Sequence, residues 1–128
     1  MMNTRAPMPR PVVLLVDDEA AMRNALELNL KEHFDVETAS SASEAEMMLA
    51  TRSYDVVVCD HLMPTEEGLA FLTRARTQFP KVQRILMTGY MNPELLSRST
   101  AVAGLAGCLM KPVPTAELIE AIRIALPR

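Results

Sequence analysis

At 128 residues the chain has room for one domain with a substantial buried core, and with 49% apolar and 23% charged residues it reads as an ordinary globular sequence. A net charge of −3 lacks the basic imbalance of a nucleic-acid-binding surface, and no apolar run approaches the roughly 20 residues that cross a bilayer. Neither nucleic acid nor membrane is therefore expected as a partner of this domain.

Residues 1–10 carry Arg5 and Arg10 without an apolar signal core, which predicts a flexible N-terminal tail ahead of a domain over residues 11–128, in a cytoplasmic protein. Cys59 and Cys108 each lie inside an apolar run and are expected as reduced, buried thiols. His33 and His61 have no partner at metal-binding spacing. Ten methionines and no tryptophan point to an adaptable core and to no function of their own.

Short apolar runs then alternate with amphipathic stretches five times. Pro11 to Val16 is continuously apolar and rich in β-branched residues, as a strand covered on both faces should be, and it ends at Asp17-Asp18-Glu19. Met22, Leu26 and Leu30 follow at helical spacing. Val36 to Ala39 predicts a short second strand, and Ser41 with Glu44 forms a capping-box pattern opening a helix through Ala45, Met48 and Leu49. Tyr54 to Cys59 is the clearest buried strand and runs into Asp60. A third helix after Gly68 carries Leu69, Leu72 and Ala75 and is stopped by Pro80.

Gln83 to Met87 predicts a fourth strand ending at Thr88. Asn92 and Pro93 have the character of an N-cap and first-turn proline for a fourth helix, which reads as the least apolar of the set. Ala106 to Met110 is the fifth strand, ending at Lys111-Pro112, and a last helix buries Leu118, Ile119, Ile122 and Leu126. Repeated strand–helix units of this kind predict an α/β fold: a five-stranded parallel sheet with right-handed crossovers and helices on both faces. Ligands of such sheets bind outside the carboxyl ends of the strands.

Polar groups stand at those ends: Asp17 and Asp18, Asp60, Thr88 and Lys111. Three carboxylates on one rim repel, at roughly 4 kcal/mol for two charges about 4 Å apart at an effective dielectric near 20. A cation held by oxygen ligands relieves that cost, and Mg²⁺ suits such a set. Lys111 and Thr88 are then placed to hold phosphoryl oxygens, and Asp60 to act as the nucleophile that forms an acyl phosphate.

With these residues, from about Val12 to Leu126, the chain closely resembles the receiver domain of two-component response regulators. The acidic pair stands as Val16-Asp17-Asp18-Glu19, the acceptor segment as Asp60-His61-Leu62-Met63-Pro64 with Gly68, the hydroxyl position as Thr88-Gly89, and the basic position as Lys111-Pro112. The resemblance implies a flavodoxin-like strand order 2-1-3-4-5. It implies that Asp60 is phosphorylated by a sensor histidine kinase or phosphotransfer protein. Mg²⁺ would be held by Asp17, Asp18, Asp60 and the Leu62 carbonyl. Lys111, preceding a cis proline, would pair with the phosphoryl group, and Thr88 would move towards it. The fourth helix, read as weakly apolar, is the element expected to respond, so the surface from helix four to helix five is expected to carry the output. An output domain C-terminal to this stretch and a phosphorylation-dependent dimer are further expectations of the same kind.

One position departs from the pattern. Cys108 stands three residues before Lys111, where the family commonly has an aromatic, which puts the usual aromatic switch in question. Tyr90 is the nearest aromatic, a candidate reporter of activation beside the plainer reading of a passive surface tyrosine. A Cys59–Cys108 disulfide is rejected, because an intervening strand puts the thiols roughly 9–10 Å apart. His61 reads as a solvated loop residue, with a kinase contact or an influence on phosphate loss as the alternative.

Two other functions on similar architectures compete. An aspartyl-phosphate hydrolase of the haloacid-dehalogenase type needs a second acid two residues after the nucleophile, where Leu62 stands. A phosphorylation-independent interaction module would be expected to lack part of the Asp/Asp/Asp/Thr/Lys set. A nucleotide- or flavin-binding protein lacks support, since no glycine-rich phosphate loop follows strand one. The chain therefore reads as a phospho-accepting switch and not as an enzyme with a separate substrate.

Overall fold

Five strands and five helices alternate along the chain: β1 (Val12–Val16), α1 (Ala20–Leu30), β2 (Asp35–Ala39), α2 (Ala42–Thr51), β3 (Val56–Asp60), α3 (Gly68–Gln78), β4 (Gln83–Thr88), α4 (Pro93–Ala103), β5 (Gly107–Met110) and α5 (Thr115–Ala125). The computed structural model describes residues 10–89 and 93–127. The expected tail over residues 1–9, Tyr90 and the expected N-cap Asn92 lie outside the described residues. Arg10, at the end of that tail, donates to the Lys31 and Phe34 carbonyls.

All strands pair in parallel, in the order β2-β1-β3-β4-β5. This is the flavodoxin-like order that the resemblance implies. Alternation along the strands divides the core in two. Leu14, Val16, Val57, Cys59 and Leu86 face α2, α3 and the end of α4, where they meet Ala45, Leu49, Phe71, Leu72 and Ala103. Val13, Leu15, Val56, Val58, Ile85 and Met87 face α1 and α5, meeting Leu26, Leu30, Leu118, Ile119 and Ile122. A run with no polar alternation is therefore what β1, β3 and the Ile85–Met87 part of β4 require, because both faces are covered.

Several local expectations shift. The Ser41 hydroxyl accepts the Glu44 amide at 3.1 Å, as a cap should, but the Glu44 carboxylate reaches back to the Ser40 amide at 2.6 Å instead of to Ser41. β3 begins at Val56, while Tyr54 turns aside and donates its hydroxyl to Glu37. Met22, expected on the buried stripe of α1, is 39% exposed. It lines an open apolar depression of about 290 Å³ with Leu26, Met87, Lys111, Pro112 and Val113.

Cys59 is buried, but Cys108 is only half-buried, because β5 is an edge strand. In register the two thiols flank Leu86 with β4 between them, and both are free. Helix α4 is no poorer in apolar residues than α3, since each holds five (Leu, Ala, Val or Phe) among its 11 residues. The reading of α4 as the least apolar helix is thus corrected.

The α2 cap gives a direct check on these local rules. Ser41→Ala removes the hydroxyl that accepts the Glu44 amide and is expected to cost about 1 kcal/mol of stability. Urea unfolding should show a lower midpoint at unchanged slope.

Candidate functional site

Strand register decides where the polar groups go. Val16 pairs with Cys59, so the residues that follow, Asp17 and Asp60, come level on adjacent strands. Asp60 pairs with Met87 and Thr88 with Met110, which brings Thr88 and Lys111 to the same carboxyl edge. The Lys111 amide donates to the Thr88 carbonyl at 2.8 Å and ties those two strand ends together. Asp17, Asp60 and Thr88 are buried, Asp18 is exposed, and the Lys111 side chain is partly exposed.

Oxygens of Asp17, Asp18 and Asp60 lie within 4.8 Å of one another. The Lys111 Nζ stands 2.7 Å from Asp60 Oδ1. Asp17 Oδ1 accepts the Glu19 amide at 2.9 Å, whereas Oδ2 is buried without a hydrogen-bond partner among the described residues. Burial pushes the Asp17 carboxyl above its ordinary pKa. The Glu19 amide opposes this, the Asp60 charge adds to it, Lys111 opposes it, and Asp18 adds a little more. One ammonium facing three carboxylates leaves an excess of negative charge. A buried acceptor with no partner and an oxygen-only ligand set are what a hard divalent cation satisfies, so the residues present fit Mg²⁺.

The loop between β3 and α3 is held at several points. The His61 amide donates to the Met87 carbonyl at 2.9 Å, and the Gly68 amide donates to the His61 carbonyl at 2.8 Å. Gly68 is buried, and a β-carbon there would fall inside the van der Waals shell of the Asp60 carbonyl oxygen. Only glycine lets the loop close so tightly behind the acid. Arg74 pairs with both Glu66 and Glu46 and so joins the loop to α3 and α2, and its hydrogen bond holds the Glu66 carboxyl below the ordinary range. Leu62, in the same loop, leaves its side chain 67% exposed.

His61 differs from its expectation as a solvated residue: its side chain is 12% exposed, and Nε2 lies 3.4 Å from Glu67. Cys108 sits level with Leu86, short of the polar rim, and packs against the core on the α2–α4 face. Tyr90 lies outside the described residues. Arg23 was not singled out from the sequence, yet its guanidinium donates to the Asp17 carbonyl at 2.8 Å and braces the turn that carries the acidic pair. A cation one helical turn into α1 was the available signal. The peptide bond between Lys111 and Pro112 is cis, as expected from the resemblance.

A five-stranded parallel sheet with three carboxylates, a hydroxyl and a lysine at its carboxyl edge defines a class of signalling domain, and the comparisons with known proteins agree. The family model of the response regulator receiver domain matches residues 13–123, so the chain belongs to that family. It is 37% identical over 114 residues to the hydrogenase transcriptional regulatory protein HoxA of Cupriavidus necator, covering 89% of this chain but 24% of that relative. The chain thus spans about a quarter of that protein's length. Among solved structures, the signal receiver domain of an HD domain-containing protein from Pseudomonas fluorescens Pf-5 superposes with a TM-score of 0.84 at 31% identity, covering 91% of this chain and 94% of that one. The response regulator TrrA of Thermotoga maritima, solved in complex with Mg²⁺ and BeF, gives 0.80 at 27% identity, covering 91% and 99%.

Receiver domains of this family serve two-component signalling, take phosphate from histidine kinases and bind Mg²⁺ at their acidic pocket. No helix among the described residues is long and apolar enough to cross a membrane.

Two substitutions test the geometry. Because the Asp17 pKa is raised on folding, its ionised form opposes folding. That opposition is full above the raised value and absent once the pH falls below the unfolded value of 3.8. Asp17→Asn keeps the acceptor for Glu19 and removes the charge. It should stabilise the metal-free protein at pH 7, read as a higher melting temperature, with the gain vanishing in melts run below the unfolded carboxyl range. Gly68→Ala should destabilise by about 1–3 kcal/mol or more through overpacking against Asp60, measured by urea titration.

Proposed function

We propose that the chain is a phosphorylation-activated switch in which Asp60 takes a phosphoryl group from the phosphohistidine of a sensor kinase or phosphotransfer protein. We take residues 11–128 as the receiver unit. The observation that carries this reading is the convergence of the Asp17, Asp18 and Asp60 oxygens within 4.8 Å, with the Lys111 ammonium 2.7 Å from the acceptor carboxylate. An Asp60 oxygen forms the new bond to phosphorus as the phosphorus–nitrogen bond breaks, and the electron pair leaves on the donor imidazole. Asp17, Asp18, Asp60 and the Leu62 carbonyl would hold Mg²⁺, which when bound offsets the charge shared by the acceptor and the incoming phosphoryl oxygens. Lys111 pairs with one phosphoryl oxygen, and Thr88 donates its hydroxyl to another. The only chemistry expected is gain and loss of phosphate at Asp60 itself.

The phosphoryl group brings a charge near −2 and new acceptor oxygens to Thr88 and Lys111. Charge-assisted hydrogen bonds contribute roughly 1.5–3 kcal/mol each, and moving a switch from mostly off to mostly on takes about 5.5 kcal/mol. Two or three contacts made only in the active state are sufficient. The α4–β5–α5 surface is the proposed output face, supported by the exposed apolar side chain of Met110 (49%) at the end of β5. It is also the surface for a phosphorylation-dependent dimer, and a domain C-terminal to this stretch would read it.

Intact mass after treatment with acetyl phosphate and Mg²⁺ tests the proposal. Wild type should gain one phosphate, Asp60→Asn none, and chelation of the metal should abolish the gain. Catalytic turnover of a phosphomonoester, with no stable adduct, would favour the hydrolase reading instead.

A further inference from the structure

The carboxyl end of α4 is fastened by two guanidinium groups from outside the helix. Arg84 is the one arginine of β4 and stands between Gln83 and the apolar run Ile85–Met87, yet it is only 8% exposed. Its Nε donates to the Ala103 carbonyl at 2.9 Å, one Nη to the Gly104 carbonyl at 3.1 Å, and the other to the Val82 carbonyl at 2.6 Å. Arg76, in the last turn of α3, donates from one Nη to the Ala101 and Val102 carbonyls at 2.9 and 3.1 Å. Carbonyls 101 to 104 are the ones a helix leaves without intrahelical donors, and the negative end of the helix dipole favours cations there.

Gly104 closes the helix at φ +60, the left-handed conformation that suits glycine, and a β-carbon would meet the Arg76 side chain at 2.9 Å. Ala103, between the two arginines, is fully buried. At the other end the helix opens at Pro93, five residues after Thr88, and a β-carbon at Gly89, next to Thr88, would meet nothing within 4 Å. The side-chain pair within the helix, Arg98 with Glu94 at 3.5 Å, is exposed at both partners.

We infer that α4 responds to phosphorylation by tilting about a fixed carboxyl end, with Arg84, Arg76 and Gly104 forming the pivot. This rests on the phospho-acceptor reading above, in which Thr88 supplies the pull. A sideways shift of the whole helix would break the hydrogen bonds from both guanidiniums, one of them rooted in the strand that carries Thr88. A tilt about the carboxyl end keeps them. The helix is roughly 16 Å long, so a tilt of about 10° moves its amino end by roughly 3 Å while its carboxyl end stays in place. Signal is thus delivered to the amino half of α4 and not to its last turn.

Amide chemical shifts of the whole chain, recorded with Mg²⁺ before and after adding beryllofluoride as the phosphoryl mimic, test this. In wild type the changes at residues 94–97 should be at least about threefold larger than those at 101–106. Arg76→Ala alters an exposed side chain and should fold normally; Arg84→Lys keeps the buried charge but loses the fork of donors. In both, the changes should spread into residues 101–106 and the ratio should fall towards one. Equal changes along α4 in wild type, or a gradient that survives in both variants, would overturn the pivot alone. No change at Asp60 or Lys111 on adding beryllofluoride would overturn the phospho-acceptor reading and the pivot with it.

Discussion

Repulsion among three carboxylates is the constraint around which the upper edge of this sheet is organised. The pairing of Val16 with Cys59 sets Asp17 level with Asp60, and neither acid can move away without breaking a strand buried on both faces. Lys111 neutralises one charge, and a single Glu19 amide serves one oxygen of Asp17. The other Asp17 oxygen is left shielded from water without a protein partner among the described residues. Such an arrangement is unfavourable for a protein alone and favourable for a protein with a divalent ion. The stability lost in holding the acids together becomes affinity for what relieves them.

The surrounding contacts keep that geometry in place. Gly68 lets the β3–α3 loop pass directly behind Asp60, and Arg74 joins the same loop to two helices. Arg23 braces the β1–α1 turn through the Asp17 carbonyl. The proposed response runs along β4 and β5 towards α4. On the proposed reading, a phosphoryl group at Asp60 acts on Thr88 and Lys111, which terminate those two strands and are already joined by a backbone hydrogen bond. On that reading, charge added at Asp60 is converted to movement at Thr88, where β4 ends.

Much of this was legible in the sequence, for physical reasons. A strand segment covered on both faces is apolar over that length, so β1, β3 and the Ile85–Met87 run of β4 announce themselves, and the first polar residue after each marks the site. Asp17, Asp60 and Thr88 were found that way, and order along the chain was enough to place Lys111 with them. Other features are properties of pairs far apart in sequence. Nothing local says that Met22 lies open beside Pro112, that Cys108 is half-buried because β5 is an edge, or that the His61 ring is tucked beside Glu67. The Glu44 carboxylate choosing the Ser40 amide over that of Ser41 is likewise a matter of turn geometry that no four-residue pattern encodes. Arg84 is the instructive case. It stands between Gln83 and an apolar run, as many exposed strand-entry residues do, and its partners, the end carbonyls of α4, come into view only once the chain has folded.

The central claim is that the crowded carboxylates form a site for one divalent cation. Titration calorimetry of the wild-type protein with Mg²⁺ reads this most directly. A single site per chain is predicted, with affinity weakened at least about tenfold by Asp18→Asn, which takes one ligand charge from an exposed position. No heat of binding, or binding indifferent to that substitution, would contradict the account.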